Sequence, residues 1–199
     1  LAWKLDLVLR GAAPEALLDS YMSERAPHVS AMIDLSVALG RVICVADAAE
    51  AAERDRRMSA QARERTQPVE ARLPPLGPGC FAAGDPLAGH LFVQDQVRRG
   101  SSAGRFDDVI GSGFALVSTA GDPGAALDAG LADWFRSLGG LTAHVGRGAP
   151  VEDLNGGYTR WFAEHGVRVA LMRPDFALFG AAGDLSGAGA LVQALRESL

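Results

Sequence analysis

Lysine, cysteine, positive net charge and uninterrupted apolar runs are all scarce in this chain of 199 residues, and each shortage removes a class of function. Lys and Arg total 19 against 24 Asp and Glu, a net charge of −5, so no basic surface is expected to hold nucleic acid or an anionic membrane. No apolar run reaches the roughly 18 residues of a membrane span. The longest candidate, Ala31 to Ala46, is interrupted by Asp34 and Arg41. No charged segment followed by an apolar stretch and a small-residue cleavage site opens the chain, which favours a cytoplasmic protein over an exported one. Cys44 and Cys80 stand 36 residues apart, which excludes a disulfide framework, CxxC redox chemistry and a cysteine-rich metal site; they read as free thiols. Lys4 is the only lysine, and its apolar helical setting suits neither a Schiff base nor a phosphate-binding loop. His28, His90, His144 and His165 are dispersed, with no HExxH pattern and no carboxylate at ligand spacing, so no metal site is expected.

What the chain does have is apolar material. At 48% hydrophobic residues it can bury a core, and its length suits one domain or a small domain with an arm. Leu1 is not Met and enters an apolar helical pattern at once without a capping residue, as expected of a piece cut from a longer protein. Leu1 to Arg10 is apolar on nearly every side and stops at Gly11. A second helix is expected from Pro14, carrying Leu17, Leu18 and Tyr21, and broken or kinked at Pro27. From Pro27 towards Cys44 the pattern resumes, with apolar residues on more than one side. Asp47 to Thr66 turns Ala-, Arg- and Glu-rich, as in a solvated helix with internal charge pairs. Half of the ten prolines then fall between 67 and 89. The expected organisation is a helical arm over 1–66, a Pro-rich linker over 67–89 and a domain over 90–199.

Within that domain the pattern predicts strands at 113–118, 141–145, 167–172 and 176–179. Helices are expected from Pro123 to Leu138, from Tyr158 to His165 and, capped by Ser186, from Ala190 to Leu199. Arg173-Pro174-Asp175 reads as a hairpin turn. The order β-α-β-α-β-β-α defines the expected fold class, an α/β, thioredoxin-like C-terminal domain preceded by an α-helical arm. Redox exchange is excluded in it, because the segment Ser118 to Gly124, where an active dithiol would sit, holds no cysteine.

Other motifs are equally unproductive. Gly187-Ala-Gly189 begins a GxGxxG pattern, but Val192 takes its sixth position and no βαβ unit follows, so a flexible helix opening is the better reading. Gly100 to Gly104 fits G-x-S-x-G with Ser102 at the nucleophile position. The preceding Gln94 to Gly100 is too polar for a central strand, and the segment reads as a plain loop. Asp107 and Asp108 suit a helix start rather than an acid/base pair. No catalytic, cofactor-binding or metal-ligating residue is assigned.

Four stretches nevertheless resemble one family, the FAD-dependent aromatic-ring hydroxylases (class A flavoprotein monooxygenases). They are Leu1-Ala-Trp-Lys-Leu5 with Arg10-Gly11; Leu17 to Tyr21 with Glu24-Arg25 and Pro27-His28; Gly104 to Phe114; and Val169 to Asp175. Ala31 to Ser36 and Gly89 to Gln94 look closest to the 3-(3-hydroxyphenyl)propionate hydroxylase branch. The resemblance implies a parent enzyme that uses FAD, NAD(P)H and O2 to hydroxylate a phenolic substrate. The family's dinucleotide motif, its Gly-Asp motif and its substrate-binding sheet have no counterpart in this sequence. The chain alone is therefore expected to be inactive and to bind no cofactor. Glu24 and Arg25 read as a helix ion pair or a contact to the missing flavin domain, which would pack on the arm. Without that domain the apolar helices are expected to drive self-association. The alternative is a stand-alone, redox-inactive thioredoxin-like module for interaction or dimerisation.

Overall fold

The computed structural model describes residues 1–64 and 73–199. The chain opens with α1 (Ala2–Leu9), a 3-10 turn (Glu15–Asp19), α2 (Ser20–Ile43) and α3 (Ala48–Glu64). After an irregular segment come β1 (Gln96–Arg99), β2 (Ser102–Arg105), α4 (Phe106–Ile110), β3 (Ala115–Ser118), α5 (Ala129–Ser137), β4 (Leu141–Gly146) and β5 (Val151–Asp153). The last elements are α6 (Gly157–His165), β6 (Val169–Met172), β7 (Leu178–Ala182) and α7 (Ala188–Ser198). The expected boundary at 66/67, with Pro68, lies outside the described residues.

The strands form one mixed sheet in the order β2-β1-β5-β4-β3-β6-β7, in which β3, β4 and β5 run parallel and the other pairs are antiparallel. The period of two along β3 sorts its side chains to opposite faces. Leu116 joins Phe135, Leu191 and Leu195 beneath α5 and α7. Ala115 and Val117 join Phe106, Tyr158 and Phe162 beneath α4 and α6. The mixed α/β character and the helical arm agree with the sequence. The sheet is larger than expected, because β1, β2 and β5 carry no clear strand pattern in the sequence. Val97 is buried among the exposed residues of β1, and β5 has only three residues, so neither shows a full alternation.

Local corrections have local causes. Pro27 does not break the helix: α2 runs through it. Proline removes one amide and crowds the preceding turn, and here residues 76–79 dock on that turn. Gly77 donates its N–H to Glu24 O at 2.8 Å, and a Cβ at Gly77 would strike the Ser23 carbonyl oxygen. Pro123 opens only a 3-10 turn, whereas α5 begins later because the Asp128 carboxylate accepts from Leu131 N–H. Likewise Asp184, not Ser186, caps the approach to α7.

The segment 82–92 covers the outer edge of β7. Ala82 and Gly89 donate to the carbonyls of Phe179 and Leu178, and the Asp85 carboxylate accepts the Ala181 amide at 2.6 Å in place of a neighbouring strand. Gly180 is required beneath this strap, since a Cβ there would meet Ala82 and Asp85. Asp85→Ala strands the Ala181 amide and is expected to cost about 1–3 kcal/mol. A urea titration showing a lower midpoint at unchanged slope checks this.

Candidate functional site

Among the described residues the most heavily bonded group is the guanidinium of Arg173, just after β6. Its five N–H donors all have acceptors. Nη1 and Nη2 grip Glu24 Oε1 and Oε2 at 2.9 Å each. Nη1 also reaches Cys80 O at 3.0 Å, while Nε and Nη2 bond Asp175 at 3.1 and 2.6 Å. The Phe81 and Trp3 rings flank the guanidinium, with centroids 4.2 and 4.9 Å away. Arg173 has 0% relative exposure, Lys4 1% and Glu24 2%.

Glu24 is satisfied from the other side. Its Oε1 also accepts from Lys4 Nζ at 2.8 Å and from the Cys80 amide at 2.9 Å. Lys4 in turn donates to Ser20 Oγ, and Trp3 Nε1 donates to Asp175 Oδ2 at 3.1 Å. Gly79 permits this approach, because a Cβ there would collide with the Glu24 carboxylate. Two cations and two carboxylates thus close a neutral cluster that joins α1, α2, the segment at 79–81 and the β6–β7 hairpin. The hairpin itself is held in a demanding conformation: Phe176 takes a φ of +62°, unusual for a bulky residue.

Burial opposes charge on Glu24, Asp175 and Arg173, but the partners win. For Glu24 burial raises the pKa, yet the bonds from Arg173, Lys4 and Cys80 leave it below the ordinary value. Asp175 is likewise pushed up by burial and held below its ordinary value by Arg173 and Trp3. Burial lowers Arg173, and Asp175 with Glu24 more than restore it, so the net shift is upward. The cluster is charged, closed and fully bonded; it is a clasp and offers no free base or nucleophile.

Glu24 and Arg25 part company here. Glu24 pairs with Arg173, 149 positions away, and with Lys4; the expected helix ion pair with Arg25 is replaced by these long-range ones. Arg25 instead lines a cleft of about 990 Å³ with Tyr21, His28, His90, Trp161 and His165, so three of the dispersed histidines come together. Two have their Nδ1 atoms engaged, His28 with Pro74 O and His165 with Trp161 O. His144 lies apart on β4. Among the described residues no group of three or more His, Cys, Asp or Glu could hold a metal ion.

Ser102 sits on the exposed edge strand β2, in a hairpin rather than a strand-to-helix elbow. Asp107 and Asp108 occupy the first turn of α4, and Asp107 accepts from Gln94. Gly187-Ala-Gly189 does not fit a flavin phosphate. Asp184 already takes the Gly187 N–H, and a Cβ at Gly187 would strike Ala182. The glycine serves close packing.

Two expectations follow. Breaking a buried pair leaves an uncompensated charge, so Glu24→Gln or Arg173→Met is expected to cost about 3–5 kcal/mol in denaturant unfolding. Because Glu24 and Asp175 have lowered folded pKa values, their stabilisation is complete above their ordinary values of 4.5 and 3.8 and is lost as pH falls below them. The unfolding midpoint should drop with acid in the natural sequence and less steeply in Glu24→Gln. Burial pushes the Cys80 thiol up, with Ser198 Oγ 3.4 Å away, whereas Cys44 is exposed. A thiol reagent is expected to count one cysteine in the native chain and two after unfolding.

Residues 89–198 match the family described as the HcaD C-terminal domain, and residues 1–36 match the FAD binding domain family. The chain is 38% identical over 200 residues to a probable NADH-specific resorcinol 4-hydroxylase of Rhodococcus jostii (strain RHA1), covering 98% of this chain and 37% of the relative. It is 34% identical over 201 residues to a 3-(3-hydroxy-phenyl)propionate/3-hydroxycinnamic acid hydroxylase of Klebsiella pneumoniae (strain 342), covering 88% and 36%. The chain thus spans little more than a third of these relatives. In fold it is similar to the flavin-dependent monooxygenase PieE, solved with FAD and substrate (TM-score 0.64, 20% identity, 100% of this chain and 42% of that one). It is also similar to aklavinone-11 hydroxylase, solved with FAD and aklavinone (TM-score 0.58, 20% identity, 98% and 38%). Since the first match takes in more than half of its residues, the chain belongs to the HcaD C-terminal domain family.

Proposed function

We propose that this chain is the C-terminal portion of an FAD- and NAD(P)H-dependent cytoplasmic monooxygenase that adds a hydroxyl group to a phenolic ring. In this reading residues 1–66 are the tail of the flavin-binding domain, 67–89 a linker and 90–199 a redox-inactive thioredoxin-like domain. The carrying observation is the clasp. Residues in the FAD-family stretch, Trp3, Lys4 and Glu24, are joined through buried charge to Arg173 and Asp175 of the HcaD-type domain. Three of the four sequence stretches that resemble flavin hydroxylases meet there.

The arm supports the second half of the reading. Only Glu24 of α2 is fully buried, while Met22, Val29, Ile33 and Val37 are exposed along one side. Glu15–Ile43 is long and apolar enough to cross a membrane by length and composition, with a mean hydropathy of 1.2 over an 18-residue stretch. Its buried Glu24, its Asp34 and its Arg41 favour a protein surface instead. An upstream flavin domain seated on that side would be held by the clasp in fixed register with the C-terminal domain. FAD bound upstream would supply reduction by NAD(P)H and activation of O2. The present residues would position that domain and exclude water from its flank.

The test is to express the longer reading frame that contains this chain. A flavin spectrum, NAD(P)H oxidation stimulated by phenols such as resorcinol or 3-(3-hydroxyphenyl)propionate, and a product heavier by one oxygen are expected. The 199-residue chain alone is expected to bind no flavin and to self-associate. A native species of 20.8 kDa in the source cells overturns the reading in favour of a stand-alone module.

A further inference from the structure

The cleft of about 990 Å³ beside the clasp has the size of a site for a small organic molecule. Three pieces of chain wall it: Tyr21, Arg25 and His28 of α2, the segment at 73–91, and Trp161 and His165 of α6. Each wall is pinned from within. A carbonyl oxygen only accepts, so His28 donates from Nδ1 to Pro74 O at 2.9 Å, and His165 donates from Nδ1 to Trp161 O at 2.8 Å. Leu76 N–H reaches Gly89 O at 2.9 Å and ties the segment back on itself. Trp161 stands edge-on to Phe92, with centroids 4.8 Å apart, and stacks on His165 at 4.5 Å and 26°. Walls that are already fixed lose little freedom when a ligand enters.

The charges that line the cleft are unevenly committed. Asp175 spends Oδ1 on Arg173 Nε, and Oδ2 on Arg173 Nη2 and Trp3 Nε1, so it borders the cleft as part of the neutral clasp. Arg25 is exposed and, among the described residues, takes part in no salt bridge, although Glu164 lines the same cleft. Its planar fork matches the two oxygens of a carboxylate and is left to take one from solution. The Trp161–His165 stack is the second handle, because a flat ring prolongs it over the exposed His165. Glu164, beside His165 on α6, repels anions. One free cation with a carboxylate near it suits a single negative charge and not a phosphate ester.

We propose that this cleft binds a planar aromatic monocarboxylate, with its carboxylate on Arg25 and its ring on the Trp161–His165 wall. Every residue the site uses is in this chain, so it stands apart from the proposed flavin domain. The test is equilibrium dialysis of the natural protein, at whatever native mass it is found, against 2-naphthoate, its uncharged amide and 2-naphthylmethylamine. About one equivalent of 2-naphthoate is expected to depend on Arg25. Arg25→Gln is expected to weaken that acid about fivefold and to leave the amide unchanged. His165→Ala is expected to weaken acid and amide alike, by about threefold, and Glu164→Gln to tighten the acid. All three side chains are exposed and lie outside the clasp, so the variants are expected to keep the urea midpoint of the natural protein. Acid binding that is indifferent to Arg25→Gln, tighter binding of the amine than of the acid, or no binding of any probe overturns the inference. Flavin content is read separately and bears only on the proposed function.

Discussion

The register in which the N-terminal helices meet the sheet depends on one guanidinium. Arg173 has no water to fall back on, so each of its five N–H groups needs a protein acceptor, and each acceptor comes from a fixed piece of backbone. That demand fixes the position of α2 through Glu24, of the segment at 79–81 through Cys80, and of the hairpin through Asp175. Lys4 and Trp3 then fix α1 against the same groups. A bidentate pair at 2.9 Å tolerates little rotation, so the clasp sets orientation as well as contact.

Such a cluster is a costly way to gain stability. Apolar residues of similar volume often hold a core as well as a buried ion network does. Its value lies in specificity: an apolar arm slides on an apolar domain, whereas a charged clasp has one register. The apolar core beneath α5 and α7 takes in Leu7 and Leu17 and supplies the bulk attraction between arm and domain. The clasp decides how the two meet.

Local chemistry was the legible part. Gly11 and Gly166 end their helices in the left-handed conformation as expected, and the Arg173-Pro174-Asp175 turn joins two antiparallel strands. Asp107 and Asp108 open a helix, and the core strands show as apolar runs at 115–118 and 169–172. The misses share a cause. The hairpin of β1 and β2 is polar on its outward residues, and its one inward anchor, Val97, gives no pattern. Pro27 carries a strong local stop signal that docking of residues 76–79 overrides. The cleft histidines are scattered because three separate parts of the chain supply them.

The sequence by itself determined the secondary structure of most of the chain, the lack of a dithiol and the family, because these rest on neighbours a few positions apart or on residue identity. It also marked Lys4, Glu24, Arg173 and Asp175 as parts of notable stretches. Only the tertiary structure decided that they are partners. Glu24 and Arg173 are separated by 149 residues, and nothing in their local patterns points from one to the other. A salt bridge in water is worth little, and sequence gives no measure of burial. It is exclusion of solvent at the meeting of four segments that makes these charges depend on one another.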